Sequence, residues 1–116
     1  GLLVGTVNAF PFRFAVTKLP RAAKDLLKEK DLTGEGVDVF IAHQANLRIN
    51  EYIRDHLKVP REKMPMNIDR FGNTSAGTIP ILVDELHRAG TLKKGQLNMM
   101  LALGAGVHWG CALVRW

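Results

Sequence analysis

The residues of this chain best suited to chemistry fall in three short segments. His43 follows a run that reads as a buried strand and precedes a helix, and the C-terminal ends of strands are where open α/β sheets place their ligands. Asn73 lies in a Gly72-Asn73-Thr74-Ser75 turn just before another helix. Gly104-Ala105-Gly106 forms a tight turn, and small residues there let backbone N–H groups approach a ligand as an oxyanion site requires. Each has a plainer role when taken alone: a packed junction histidine, a helix-capping asparagine, a hairpin turn. Cys111 has alternating neighbours in the final strand, with no adjacent base and no helix N-terminus to activate it, so it reads as a packed thiol. His56 and His87 read as helix-face residues, and His108 as a half-exposed strand residue.

The elements that must position these residues follow from hydrophobic periodicity. Leu19, Ala22, Ala23, Leu26 and Leu27 share one helical face, and Pro20 is expected to start or kink that helix. The apolar stretch before it, residues 1–10, is read as strand or loop. Val37 to Ala42 is a short, β-branched, mostly apolar run, as expected of a buried parallel strand. A second helix is predicted from Asn46 to Lys58, with Ile49, Tyr52, Ile53, His56 and Leu57 inward and Arg48, Asn50, Glu51, Arg54 and Asp55 outward. Ile79, Leu82, Val83 and Leu86 mark a third helix stopped by Gly90. The segments Gln96 to Leu103 and Val107 to Arg115 should pair as an antiparallel hairpin. The predicted order, β-α-β-α-α-β-β, implies an α/β domain with a mixed sheet covered by helices.

Composition narrows the function classes. With 116 residues the chain is one domain, 1–116, with a modest core. No run approaches the roughly 18 apolar residues of a membrane helix, so no membrane span is expected. One cysteine excludes an internal disulfide and suits a reducing compartment. The four histidines lack metal-ligand spacing, so no metal is expected. A net charge of +5 favours acidic partners: nucleic acid, an acidic carrier protein or a phosphate-bearing cofactor. The opening, Gly1 to Gly5, reads as an incoming strand or the cut edge of a longer protein, and not as a signal peptide.

In combination the motifs point to one family. Phe12-Arg13-Phe14-Ala15-Val16, His43-Gln44-Ala45-Asn46-Leu47-Arg48, Asp69-Arg70-Phe71-Gly72-Asn73-Thr74-Ser75-Ala76 and the stretch from Gly104 to Trp116 resemble, in that order, segments of the second half of 3-oxoacyl-(acyl carrier protein) synthase III. The resemblance implies a thiolase-like half and an acyltransferase of fatty-acid initiation that performs a decarboxylating Claisen condensation of acyl-CoA with malonyl-acyl carrier protein. It implies that His43 and Asn73 donate hydrogen bonds to the malonyl thioester oxygen as charge develops there. That role needs a neutral imidazole and an amide that donates without changing charge. The backbone N–H of Ala105 resembles a donor of the oxyanion hole for the acyl group. Phe12, Ala15 and Asn46 resemble pantetheine contacts, and Arg13 and Arg48 a basic patch for the carrier protein.

By the same resemblance no cofactor is needed beyond the thioester substrates. The partners are acyl carrier protein, a CoA thioester, the N-terminal half of the same fold and a second copy in a homodimer, with no nucleic acid, in the cytoplasm. The family's nucleophilic cysteine belongs to that N-terminal half, and Cys111 does not match it. Ala105 stands where the family usually has glycine, and His108 where threonine is common. Two alternatives stay open: a non-catalytic fragment or pantetheine-binding interaction domain, and a related synthase of secondary metabolism. The acyl primer is not fixed by these residues.

Overall fold

The computed structural model describes residues 2–104 and 108–116, with side chains from residue 13 onward except at 14 and 15. Helix α1 (Leu2–Glu29) opens the chain, followed by strand β1 (Val39–Ala42) and helix α2 (Leu47–Leu57). The short helix α3 (Ile68–Phe71), helix α4 (Thr78–Arg88) and strands β2 (Leu97–Gly104) and β3 (His108–Arg115) complete it. The sheet order is β1-β2-β3, with β1 and β2 parallel and β2 and β3 antiparallel. This is the expected mixed sheet covered by helices, and the terminal hairpin pairs as predicted.

Alternation along the strands divides the core between two faces. Phe40, Ala42, Met99 and Leu101 pack against Leu19, Ala23 and Leu27 of α1 and Ile49 and Ile53 of α2. Val39 and Ile41 face the other way, against Leu82 and Leu86 of α4. Every residue of β1 is buried, as a strand covered on both faces must be. Phe40 is fully buried at the centre, where truncation to Ala costs about 3–5 kcal/mol. The α4 face also holds Asn98, which is fully buried with neither amide atom hydrogen-bonded among the described residues.

The structure departs from expectation in three elements. The leading strand or loop is absent: the chain is helical from Leu2, so the order begins with α1. A short apolar run carries no periodicity that separates strand from helix, and here it extends the helix anchored by Leu19, Ala23 and Leu27. Of the two roles expected of Pro20, it does not start that helix; it is buried within it, where it removes one backbone rung as an interior, kink-prone proline does. Helix α2 is turned from its predicted orientation. Asn50 is buried, whereas Tyr52 and His56 are exposed, so the buried stripe runs through Ile49, Asn50 and Ile53. Among the described residues no helix is long and apolar enough to cross a membrane.

Candidate active site

The alternation that fills the core also aims His43. Continuing past the end of β1, His43 keeps the parity of Val39 and Ile41 and so faces α4. Its backbone N–H donates to the Leu101 carbonyl at 2.7 Å, which carries the strand pairing one residue beyond β1. Its carbonyl accepts from Asn50 Nδ2 at 3.2 Å and from the Ala45 N–H at 3.1 Å. The next residue, Gln44, is fully buried: Nε2 donates to the Ala42 carbonyl at 2.9 Å and Oε1 accepts from the Asn67 N–H at 3.1 Å. A single amide therefore ties the His43 turn to the segment that leads into α3. Asn46 then starts α2 as its N-cap, extended in backbone, with its side-chain oxygen accepting from the Ile49 N–H at 2.9 Å.

The imidazole is half-buried, and desolvation pushes its pKa below the usual histidine value. The ring is therefore neutral at physiological pH. Its Nδ1 is hydrogen-bonded to Oγ1 of Thr78, a buried residue in the first turn of α4.

Asn73 is placed by different means. Gly72 has φ 67° and ψ −165°, a combination open essentially to glycine alone. Asn73 Oδ1 then accepts from the Ser75 N–H at 2.9 Å, closing an Asx turn, with Ser75 itself at φ 55°. Asn73 Nδ2 donates to the Ala45 carbonyl at 3.2 Å, which fixes which end of the amide is which and leaves its second N–H available. Arg70 of α3 makes a bidentate pair with Glu85 of α4, bracketing the turn from both sides. That hydrogen bond holds the Glu85 carboxyl below its ordinary pKa.

His43, Asn46, Asn73, Thr78 and Gly104 line one cavity of about 880 Å³ at the C-terminal ends of the parallel strands β1 and β2. The volume is that of a small-molecule site. The arrangement offers a neutral ring nitrogen and an amide N–H, both held before any ligand arrives. Such donors stabilise negative charge without reorganising.

The other sequence-predicted residues distribute as follows. Ala105 lies outside the described residues, as do the side chains of Phe12 and Ala15, whose backbone is part of α1. Arg13 and Arg48 are exposed, on α1 and in the first turn of α2. His108 is exposed on β3. Cys111, also on β3, is absent from the cavity lining, and burial, reinforced by the charge of Asp25, pushes its thiol pKa up. It is thus a poor nucleophile. Sequence reading missed Thr78 and assigned Asn50 to solvent. The signal for Asn50 was a polar residue beside Ile49, two residues past a motif already singled out; for Thr78 it was a hydroxyl at a helix start, close after Asn73.

Known proteins match this chain over most of its length. A family model described as 3-oxoacyl-(acyl-carrier-protein) synthase III C terminal matches residues 27–116. The beta-ketoacyl-(acyl-carrier-protein) synthase III of Koribacter versatilis is 46% identical over 105 residues, covering 90% of this chain and 32% of that protein. That of Prochlorococcus marinus strain MIT 9301 is 40% identical over 105 residues, covering 90% and 31%. The crystal structure of 3-oxoacyl-(acyl-carrier-protein) synthase III from Aquifex aeolicus superposes with a TM-score of 0.90 at 37% identity, covering 94% of this chain and 35% of that one. The chain therefore spans about a third of the length of the relatives it matches.

Proposed function

The chain belongs to the family of 3-oxoacyl-(acyl-carrier-protein) synthase III C-terminal domains, and from that premise we propose that it supplies the enolate-stabilising half of a decarboxylating condensing enzyme. Malonyl-acyl carrier protein binds with its thioester oxygen between His43 and Asn73. The bond from the α-carbon to the carboxylate breaks, carbon dioxide leaves, and the electron pair passes into the enolate. The negative charge that develops on the thioester oxygen is met by the imidazole N–H and the free amide N–H. No general base is required, because departure of carbon dioxide itself generates the carbanion. The enolate carbon then attacks an acyl thioester, and the thiolate leaves as the 3-oxoacyl product forms.

The observation that carries this reading is the fixed orientation of both donors on one cavity: a ring kept neutral by burial and an amide pinned at both its oxygen and its nitrogen. The acyl group is held by a cysteine of an N-terminal half, since Cys111 is outside the cavity lining with a thiol made less acidic. Leu47 and Phe71, each 50% exposed beside Asn46 and Gly72, suit cover by that half. The Ala105 N–H completes the acyl oxyanion hole, Phe12, Ala15 and Asn46 contact pantetheine, and Arg13 and Arg48 attract the acidic carrier protein. The enzyme works as a cytoplasmic homodimer on acyl-CoA and malonyl-acyl carrier protein, without a cofactor.

The test is a chimera in which this chain replaces the corresponding third of the Koribacter synthase. Carbon dioxide release from malonyl-acyl carrier protein and acyl transfer to cysteine are followed separately. His43→Ala and Asn73→Ala should each cut decarboxylation by about 10²–10³-fold, the loss typical of one oxyanion donor, while acyl transfer persists. Decarboxylation at the parent rate in both variants sinks the assignment.

A further inference from the structure

We infer that Thr78 is a positioning residue that selects the tautomer of His43, holding the ring proton on Nε2 by donating its own hydroxyl proton to Nδ1. This rests on the enolate-stabilising role proposed for His43 and extends it to a residue no sequence motif singled out. A neutral imidazole carries one N–H, and which nitrogen bears it depends on the partner of the other. Here that partner is the Thr78 hydroxyl, on the α4 side of the ring.

Two placements of the protons are possible, and counting donors separates them. If Nδ1–H donated to Oγ1, the Thr78 hydroxyl proton would need another acceptor. Thr78 is only 3% exposed, and its side chain has no other hydrogen-bond partner among the described residues. Burying an unpaired hydroxyl costs about 1–3 kcal/mol. Nε2 would then be a bare acceptor, repelling the charge that develops on a thioester oxygen. If Thr78 O–H donates to Nδ1, the buried hydroxyl is satisfied and Nε2–H is left as the ring's donor. The N-terminal end of α4 adds to this choice, because its partial positive charge disfavours a proton on the nitrogen nearest it.

The geometry is set by elements far apart in sequence. The parity of β1 turns His43 toward α4, and Leu82 and Leu86 of α4 pack on Val39 and Ile41 of the same strand face. The packing that buries α4 therefore also fixes the distance between its first turn and the imidazole.

The experiment reads the tautomer directly and activity separately. In the full 116-residue chain labelled with ¹⁵N-histidine, long-range ¹⁵N–¹H correlation identifies the protonated nitrogen of His43, assigned by loss of its signals in His43→Gln. The wild-type ring should be the Nε2–H tautomer. Thr78→Val, close in shape but without the hydroxyl, should convert it to a mixture or to Nδ1–H; Thr78→Ser should restore Nε2–H. In the chimera, Thr78→Val should lower kcat for decarboxylation by about 10–100-fold, by analogy with the loss on removing a group that orients a metal-ligating histidine. KM should change little, and Thr78→Ser should recover most of the rate.

An unchanged Nε2–H tautomer in folded Thr78→Val overturns the inference, as does loss of that tautomer in folded Thr78→Ser. Should Thr78→Val fail to fold, the serine variant and Thr78→Ala decide it by the same two readouts. If the tautomer shifts as expected while His43→Ala leaves decarboxylation intact, the role of Thr78 stands and the function proposed for His43 falls.

Discussion

The turn after β1 and the turn between α3 and α4 each present one side chain to the same cavity, but they hold it differently. Around His43 the work is done by buried side chains: Gln44 and Asn50 bond to backbone on either side of the ring, and Thr78 bonds to the ring itself. Around Asn73 it is done by backbone conformation, with Gly72 and Ser75 at positive φ and every residue from Phe71 to Ala76 exposed. The first arrangement is coupled to the core and cannot loosen without unfolding neighbours. The second is local, so it can be perturbed with little cost to the rest of the domain. Both donors are preorganised, yet only one of them is part of what makes the fold stable.

The sharpest way to break this contrast is Gln44→Leu, which keeps the volume and removes both hydrogen bonds of a fully buried amide. Each buried backbone group left unpaired costs about 1–3 kcal/mol, and two are affected, Ala42 C=O and Asn67 N–H. Urea denaturation should show a clear drop in stability, and decarboxylation by the chimera should fall with it. Unaltered stability would mean that the buried bonds do not hold the His43 turn.

Gly72→Ala is the matching change on the other side. A Cβ at Gly72 meets no atom within 4 Å, so the penalty is purely conformational, about 1–3 kcal/mol for a residue forced into this region. Because the turn is exposed, it should relax locally, displacing Asn73 from Ala45. Decarboxylation should fall steeply while global stability, by the same denaturation, changes less than in Gln44→Leu. Equal losses of stability in the two variants would erase the distinction between the turns.

The same distinction explains what could be read from the sequence. The β1 run, the α4 stripe and the terminal hairpin were legible because burial on regular elements leaves a period of 2 or 3.6. Asn73 was legible because a Gly-Asn-Thr-Ser turn is local in sequence. The surroundings of His43 were not, because they depend on contacts between distant elements. Asn50 looked solvent-facing on a helical wheel, but it is buried with its amide donating to the His43 carbonyl, while Tyr52 and His56 face outward. Thr78 carries no signature of its own, and nothing in the spacing says that a helix-start hydroxyl ends beside an imidazole. The helical start of α1 was hidden for another reason: apolar residues without clear periodicity fit either structure.

The smallest expected effect is in pH, and it separates the two donors most cleanly, because an amide does not titrate and an imidazole does. Desolvation lowers the pKa of His43 from 6.5, so between that folded value and 6.5 the unfolded chain binds the proton more readily than the folded one. Stability should therefore rise with pH through this window and level off above 6.5; the penalty for burying the ring is fully present below the folded pKa. Decarboxylation by the chimera should follow the neutral ring, flat above 6.5 and falling with a one-proton slope on the acid side of the folded value. The Arg70–Glu85 pair does not blur this, since its carboxyl is held below 4.5 and its contribution is lost only as pH falls through that lower range. An NMR titration of His43 gives the folded pKa directly, and it should match the kinetic midpoint. A kinetic midpoint above 6.5 would mean that the charged ring is not what stops the reaction, and that a group other than His43 controls it.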